Sequence, residues 1–290
     1  MRAIAQYSIL MLPCWFALGV ASTAQGAFTE YRRTMDAIVT PGFPEHDLID
    51  PAPITSPDAQ TFTGTVSNSG GDLQSSATLN GSVGFGSIHA VVQAHSSDTA
   101  LSIGGATSAA SAIGADWSDT IPLRSTTLAD GTPVEVRLGF LFEGAITGDV
   151  GYSVGTFPNG HVMFSGWGSE IQFDTPSQAG PFLFSTTVTI DSAVGDDINL
   201  RGSLSLYTGS RVDRRSPPDL GPSSVTTTVD ALNTAALSLE ILTPGVTYQS
   251  ESGTVYATSL PVPEPGTMAL VTAGILCLAM RLASPRARHA

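Results

Sequence analysis

The sequence predicts an all-β protein, a two-sheet sandwich spanning most of its 290 residues. Three observations carry this expectation. Several segments alternate strictly between apolar and polar residues, the period of a half-buried strand. Turn signals separate them at roughly ten-residue spacing, as in sandwich folds. Between the two apolar ends of the chain, no segment has the periodicity and caps of a long amphipathic helix. Strands that bury only one face need a second sheet to bury it against. The pattern alone does not separate a jelly-roll from an immunoglobulin-like topology.

Taken in order, residues 1–26 read as a secretory signal peptide. Met1-Arg2 is positive, Ile9–Val20 is a run of twelve dominated by apolar residues, and Ala21–Ala27 is built almost wholly of small residues. Cleavage is expected after Ala24 or Gly26. A lipoprotein signal needs a small residue before its Cys, and Pro13 precedes Cys14. The apolar run is short for an uncleaved membrane anchor. Residues 27–60 carry Pro41, Pro44, Pro51, Pro53 and Pro57 and are expected to form an irregular arm draped on the sandwich.

Residues 61–260 should hold the sandwich. Val134, Val136, Leu138, Phe140 and Phe142 alternate with Glu135, Arg137 and Gly139. The same period runs through Phe182–Ile190, Ile198–Leu206 and Ala235–Ile241. Weaker strand candidates are Thr61–Val66, Ser82–Gln93, Val162–Phe173, Val225–Val229 and Thr254–Thr258. Gly104–Ala115 is open between helix and strand, and its Gly, Ser and lack of charge favour strand. Turns are expected at Ser69–Asp72, Asp130-Gly131, Pro158–Gly160, Gly195-Asp196 and Pro244-Gly245. Arg211–Ser224 reads as a long polar loop with the only basic cluster outside the chain ends. No fixed-period repeat is present.

Residues 261–290 form a tail. Pro261, Pro263 and Pro265 fix an extended backbone. Gly266–Met280 carries no charge over 15 residues, and Arg281, Arg286 and Arg288 follow. As a helix that run is about 22 Å long against a hydrocarbon core of about 30 Å, a marginal span. Arginines beside a span stay cytoplasmic, so the body between signal and tail lies outside.

The ordered triple of Val262-Pro263-Glu264-Pro265, an apolar stretch Met268–Met280 and a terminal Arg cluster resembles the PEP-CTERM sorting signal of Gram-negative bacteria. That tail is sometimes labelled an ice-binding protein C-terminal domain. The resemblance implies a tail held in the inner membrane and processed by an exosortase-type enzyme. Val262, Pro263, Glu264 and Pro265 would then be recognised by another enzyme rather than perform chemistry. The protein would end at the cell surface or outside the cell, in association with exopolysaccharide. The resemblance also leans the sandwich toward the jelly-roll type.

Charge and composition exclude several classes. The chain has 12 Lys+Arg, all of them Arg, against 25 Asp+Glu, for a net charge of −13. That lacks the basic excess of a nucleic-acid binder and leaves room for divalent cations. Both cysteines, Cys14 and Cys277, fall in the end segments, so no disulfide staples the body, which is long enough to hold a core without one.

No catalytic constellation is legible, and the chain is expected not to be an enzyme. There is no G-x-S-x-G elbow and no Lys for a Ser–Lys pair. Asp116 and Asp119 lack an opposing carboxylate in the sequence. His89 and His95 share one strand face but lie about 20 Å apart, too far to share a metal. The best metal candidate is Ca²⁺ on Asp191, Asp196, Asp197 and Asn199, hard oxygen ligands crowded at a turn. The competing reading is an Asp turn bonding its own backbone. Trp117, Trp167 and Tyr152 are candidates for a sugar platform, with core packing the stronger reading for the two tryptophans. The alternative function is thus a lectin-like or Ca²⁺-assisted carbohydrate-binding module, or an ice-binding one. The threonine runs at Thr186–Thr189 and Thr226–Thr228 are short and isolated in sequence for the last.

Overall fold

In the computed structural model the described residues are 27–40, 54–98, 106–148, 158–166, 169–213 and 223–260. The signal peptide, Tyr152, Trp167, Val262–Pro265, Arg281, Arg286 and Arg288 lie outside them. Thirteen strands and no helix occur among the described residues: β1 (Phe28–Thr40), β2 (Ile54–Ser56), β3 (Gln60–Gly70), β4 (Leu73–Gly84), β5 (Ser87–Asp98), β6 (Ala106–Ser125), β7 (Pro133–Gly148), β8 (Asn159–Gly166), β9 (Ser169–Asp174), β10 (Gly180–Ala193), β11 (Asp197–Asp213), β12 (Ser223–Ile241) and β13 (Val246–Tyr248).

They form the expected two-sheet sandwich. One sheet runs β2-β1-β6-β11-β8-β9, with β13 on the end of β6, and the other runs β10-β7-β12-β5-β4-β3. Every pairing is antiparallel. From β5 to β8, and again from β9 to β13, each connection changes sheet, the interleaving of a jelly-roll-like sandwich.

The inward sets are those the alternation selects. Val134, Val136, Leu138, Phe140 and Phe142 of β7 are buried, as are Ile88, Ala90, Val92 and Ala94 of β5. Trp117 is fully buried, with Phe140, Phe142, Phe164 and Met35 among the largest core side chains. Toward the far end of β6 the inward residues become small and hydroxylated. There the sheets are tied directly: Thr107 Oγ1 donates to the Gln74 carbonyl, Ser111 Oγ to the Thr78 carbonyl, and Ser96 Oγ meets Ser210 Oγ at 2.9 Å. Gly104–Ala115 is accordingly strand from Ala106 onward, because its odd positions face the opposite sheet.

Several expectations are corrected. The first part of the expected irregular arm, Phe28–Thr40, is strand β1, paired with β6 from Phe28↔Ser118 to Thr40↔Ala106. Its prolines all lie beyond it, and Met35 and Ala37 enter the core. Ser82–Gln93 is not one strand but the β4–β5 hairpin, turned at Phe85-Gly86, where Gly86 adopts φ +80°. Val162–Phe173 is likewise the β8–β9 hairpin. Pro158–Gly160 leads into β8 rather than turning. Val225–Val229 and Ala235–Ile241 are one strand, β12, interrupted by a register shift between Asp230 and Ala235. Both ends of the loop expected at Arg211–Ser224 are strand, since β11 continues to Asp213 and β12 starts at Ser223. Thr254–Thr258 forms no strand.

Candidate functional site at the tail junction

The chain leaves β13 at Tyr248 and crosses the end of the sandwich before the tail starts. This strap, residues 249–260, has no regular secondary structure, yet it is bonded to both sheets. On one side Glu251 N donates to the Thr120 carbonyl of β6 at 2.9 Å. On the other, Leu239 N of β12 donates to the Ala257 carbonyl at 2.8 Å. Leu239 lacks a β5 partner, because β5 begins opposite Ala236. The strap therefore takes up the ladder where β5 is missing.

Asp119 is the centre of this closure. It lies on the inward face of β6, with Trp117, Ile121 and Leu123, and is 1% exposed. A carboxylate there needs several donors to offset its lost hydration. Four reach it: Thr120 N (2.9 Å) and Ser252 N (3.1 Å) on Oδ1, and Ser252 Oγ (2.6 Å) and Tyr256 Oη (2.7 Å) on Oδ2. Three of the four donors arrive on the strap, and the fourth is the backbone N–H of the next residue, Thr120. Within the strap, Ser250 Oγ donates to the Thr254 carbonyl, and Gly253, at φ +75°, makes the turn between them. Tyr256 N donates to Tyr248 Oη at 3.0 Å.

The Tyr256 ring completes the core beneath. It is 4% exposed, lies 6.2 Å from the Trp117 ring centre and covers Gly86, where a Cβ would come within 2.8 Å of it. Burial, then the bond to and charge of Asp119, push its phenol far above the ordinary tyrosine range. Trp117 itself packs against Gly202, whose added Cβ would fall 2.4 Å from the indole nitrogen. Beyond Tyr256 the strap runs over the outer face of the six-stranded sheet. Leu260 sits over Gly139, and a shallow open groove lies beside Phe85, Ala236, Leu237 and Val255. The tail thus departs from a fixed point on that face.

The residues singled out from sequence are spread over the sandwich. Asp116 and Asp119 occupy opposite faces of β6, Asp116 pairing outward with Arg201 at 3.2 Å, so they do not act on one reacting atom. Trp117 is core and offers no platform. His89 and His95 lie half-buried on the outer face of β5, where His95 Nδ1 meets Thr226 Oγ1 at 2.7 Å. At the β10–β11 turn, Asp196 Oδ2 accepts from Ala193 N (2.9 Å) and Ser192 Oγ (3.2 Å), Asp197 stands 3.6 Å from Arg124, and Asn199 Oδ1 accepts from Thr120 Oγ1 at 3.4 Å. Asp191 sits opposite Glu135 across the β10–β7 ladder. Among the described residues no three His, Cys, Asp or Glu side chains are grouped to hold a metal ion.

The role of Asp119 was missed, although its parity with Trp117 and Ile121 places a carboxylate on the core face. The donors on Ser252 and Tyr256, 133 and 137 residues away, carry no such signal.

No curated protein matches the chain. Residues 261–284, directly after the strap, match the family model of the PEP-CTERM protein-sorting motif. That motif implies handling by an exosortase-type enzyme, with export and surface localisation. The chain is therefore a two-sheet β-sandwich closed by a strap and followed by a PEP-CTERM sorting tail.

Proposed function

We propose that the sandwich is non-enzymatic cargo of the cell surface. A signal peptide exports it, and the apolar tail holds it in the inner membrane with Arg281, Arg286 and Arg288 on the cytoplasmic side. An exosortase-type enzyme then acts at Val262–Pro265, and the body is retained at the surface or among exopolysaccharide. The observation that supports this reading is the strap: the core is sealed at Tyr256, before the tail begins, so processing beyond Leu260 asks nothing of the fold. The test is fractionation of cells producing the full chain with Pro263→Ala and Glu264→Ala. The variant should accumulate in the inner membrane while the wild type reaches the surface. An identical distribution of the two refutes the reading.

A second reading, carbohydrate binding by the body, is favoured by one feature. Thr65, Thr78, Gln93, Thr228 and Thr147 stand in register across β3, β4, β5, β12 and β7 on the outer face of the six-stranded sheet. Threonines isolated in sequence thus form a hydroxyl row in space, tied by Gln93 Nε2 donating to Thr228 Oγ1. With few charges nearby, such a face suits a neutral polysaccharide, or ice, better than an anionic polymer. Glycan-array binding that disappears on Thr78→Lys would support it, and an array without signal would remove it.

A further inference from the structure

A sheet edge offers bare N–H and C=O groups to any passing strand unless brevity, charge, proline or a covering segment guards it. The two sheets differ in this respect. The seven-stranded sheet ends in β2, three residues long, and in β9, six residues long with Glu170 and Asp174. The six-stranded sheet ends in β3 and β10, which are 11 and 14 residues long. β10 has one charge, Asp191, and from Phe182 to Ile190 it holds neither charge nor proline. Among the described residues no strand pairs with its outer side. It also leaves apolar surface uncovered. Leu183 is 49% exposed, and Phe184 and Val188 are only partly buried at the lip of the core. Phe184 belongs there to a group of rings with Phe142, Phe173 and Phe182.

We propose that β10 is a self-association edge, on which a second copy of this chain pairs antiparallel about a twofold axis at Thr186. The register argues for this occupant. With Thr186 opposite itself, Phe184 faces Val188 and Phe182 faces Ile190 on the core side. On the outer side Ser185 faces Thr187 and Leu183 faces Thr189. The segment is its own complement: aromatic residues meet β-branched ones, and hydroxyls meet hydroxyls, cross-strand pairs that stabilise antiparallel ladders. A charged partner finds nothing to hold along this seam, whereas two acidic bodies meet there without like charges opposed. Such an isologous contact closes after two copies and continues one sheet into the other.

The test uses the full chain purified in detergent, with its mass followed by sedimentation. Wild type should dimerise. Ser185→Lys with Thr187→Lys sets like charges opposite one another and should weaken association by about tenfold. Ser185→Glu with Thr187→Lys sets opposite charges in register and should restore it. Both positions are exposed, so circular dichroism should be unchanged. Thr63→Lys with Thr65→Lys, on the other edge of the sheet, should leave the dimer intact. A monomeric wild type, a dimer indifferent to the β10 lysines, a charge-swapped variant as weak as the double lysine, or dissociation caused by the β3 lysines would each overturn the proposal.

Discussion

Tyr256→Phe isolates what the strap contributes. The substitution keeps the ring, and with it the contacts to Trp117 and Gly86, but removes the donor that reaches Asp119 Oδ2 at 2.7 Å. Asp119 retains Thr120 N, Ser252 N and Ser252 Oγ, so one of four hydrogen bonds to a buried carboxylate is lost. A bond to a charged group contributes about 1.5–3 kcal/mol. For a sandwich of this size that lowers the melting temperature by roughly 3–12 °C. The pH dependence supplies a second readout. The phenol ionises near 10 in the unfolded chain and is held above that in the fold, by burial first and then by Asp119. A group raised on folding gives its full stabilisation below its unfolded pKa and loses it as pH rises further, by up to about 1.4 kcal/mol per pH unit. Wild type should therefore lose stability above pH 10 more steeply than Tyr256→Phe. The remaining slope belongs to Tyr248 and Tyr207, whose phenols burial also raises. Urea melts of the full chain between pH 7 and 11 measure both effects. A variant within about 0.5 kcal/mol of wild type at pH 7, with the same alkaline slope, would show that Asp119 does not hold the strap.

Two further outcomes follow from local geometry. Gly202→Ala places a methyl 2.4 Å from the Trp117 nitrogen, with the indole wedged in a packed core, and should cost about 1–3 kcal/mol in thermal or urea unfolding. Asp196→Ala removes the acceptor for Ala193 N and Ser192 Oγ and should cost about 1–2 kcal/mol. Melting with millimolar Ca²⁺ and with chelator then distinguishes turn cap from cation ligand. A wild-type melting shift on Ca²⁺ that Asp196→Ala abolishes would favour the ligand.

The sandwich was legible where large residues alternate with polar ones. Val134–Phe142 and Phe182–Ile190 announce both their strands and their inward faces. It was hardest to read where inward residues are small. Leu73, Ser75, Ala77 and Leu79 make a core face of β4, but serine and alanine there give the pattern of a loop, and only the end of the strand, from Ser82, reads as one. The same chemistry made Gly104–Ala115 ambiguous, because closely spaced sheets want small side chains and direct hydroxyl ties. Two hairpins were read as single strands, since an alternation continues through a two-residue turn unless the φ of a residue such as Gly86 is known. The sorting tail was readable because its signal is contiguous. The strap was not, because its chemistry joins Asp119 to Ser252 and Tyr256 through space alone.

Where the chain is cut should matter within a few residues. Removal of everything after Leu260 leaves each bond to Asp119, the Leu239–Ala257 bond and the Leu260 contact with Gly139 in place. Such a chain should melt with the wild type. Removal of everything after Tyr248 takes the Tyr256 ring out of the core and leaves Asp119 with Thr120 N alone, still inside the sandwich and newly open to water. The lost ring by itself costs about 3–5 kcal/mol, and three lost hydrogen bonds to a carboxylate add to it. Since domains are stable by only about 5–15 kcal/mol, the shorter chain should be largely unfolded or sharply destabilised. Circular dichroism melts of the two truncations decide the matter. Equal stability would mean that the strap is ornament, and that the tail hangs from a sandwich already closed without it. A large difference would place the boundary between cargo and sorting signal at Leu260, with the closing residues of the fold immediately before it.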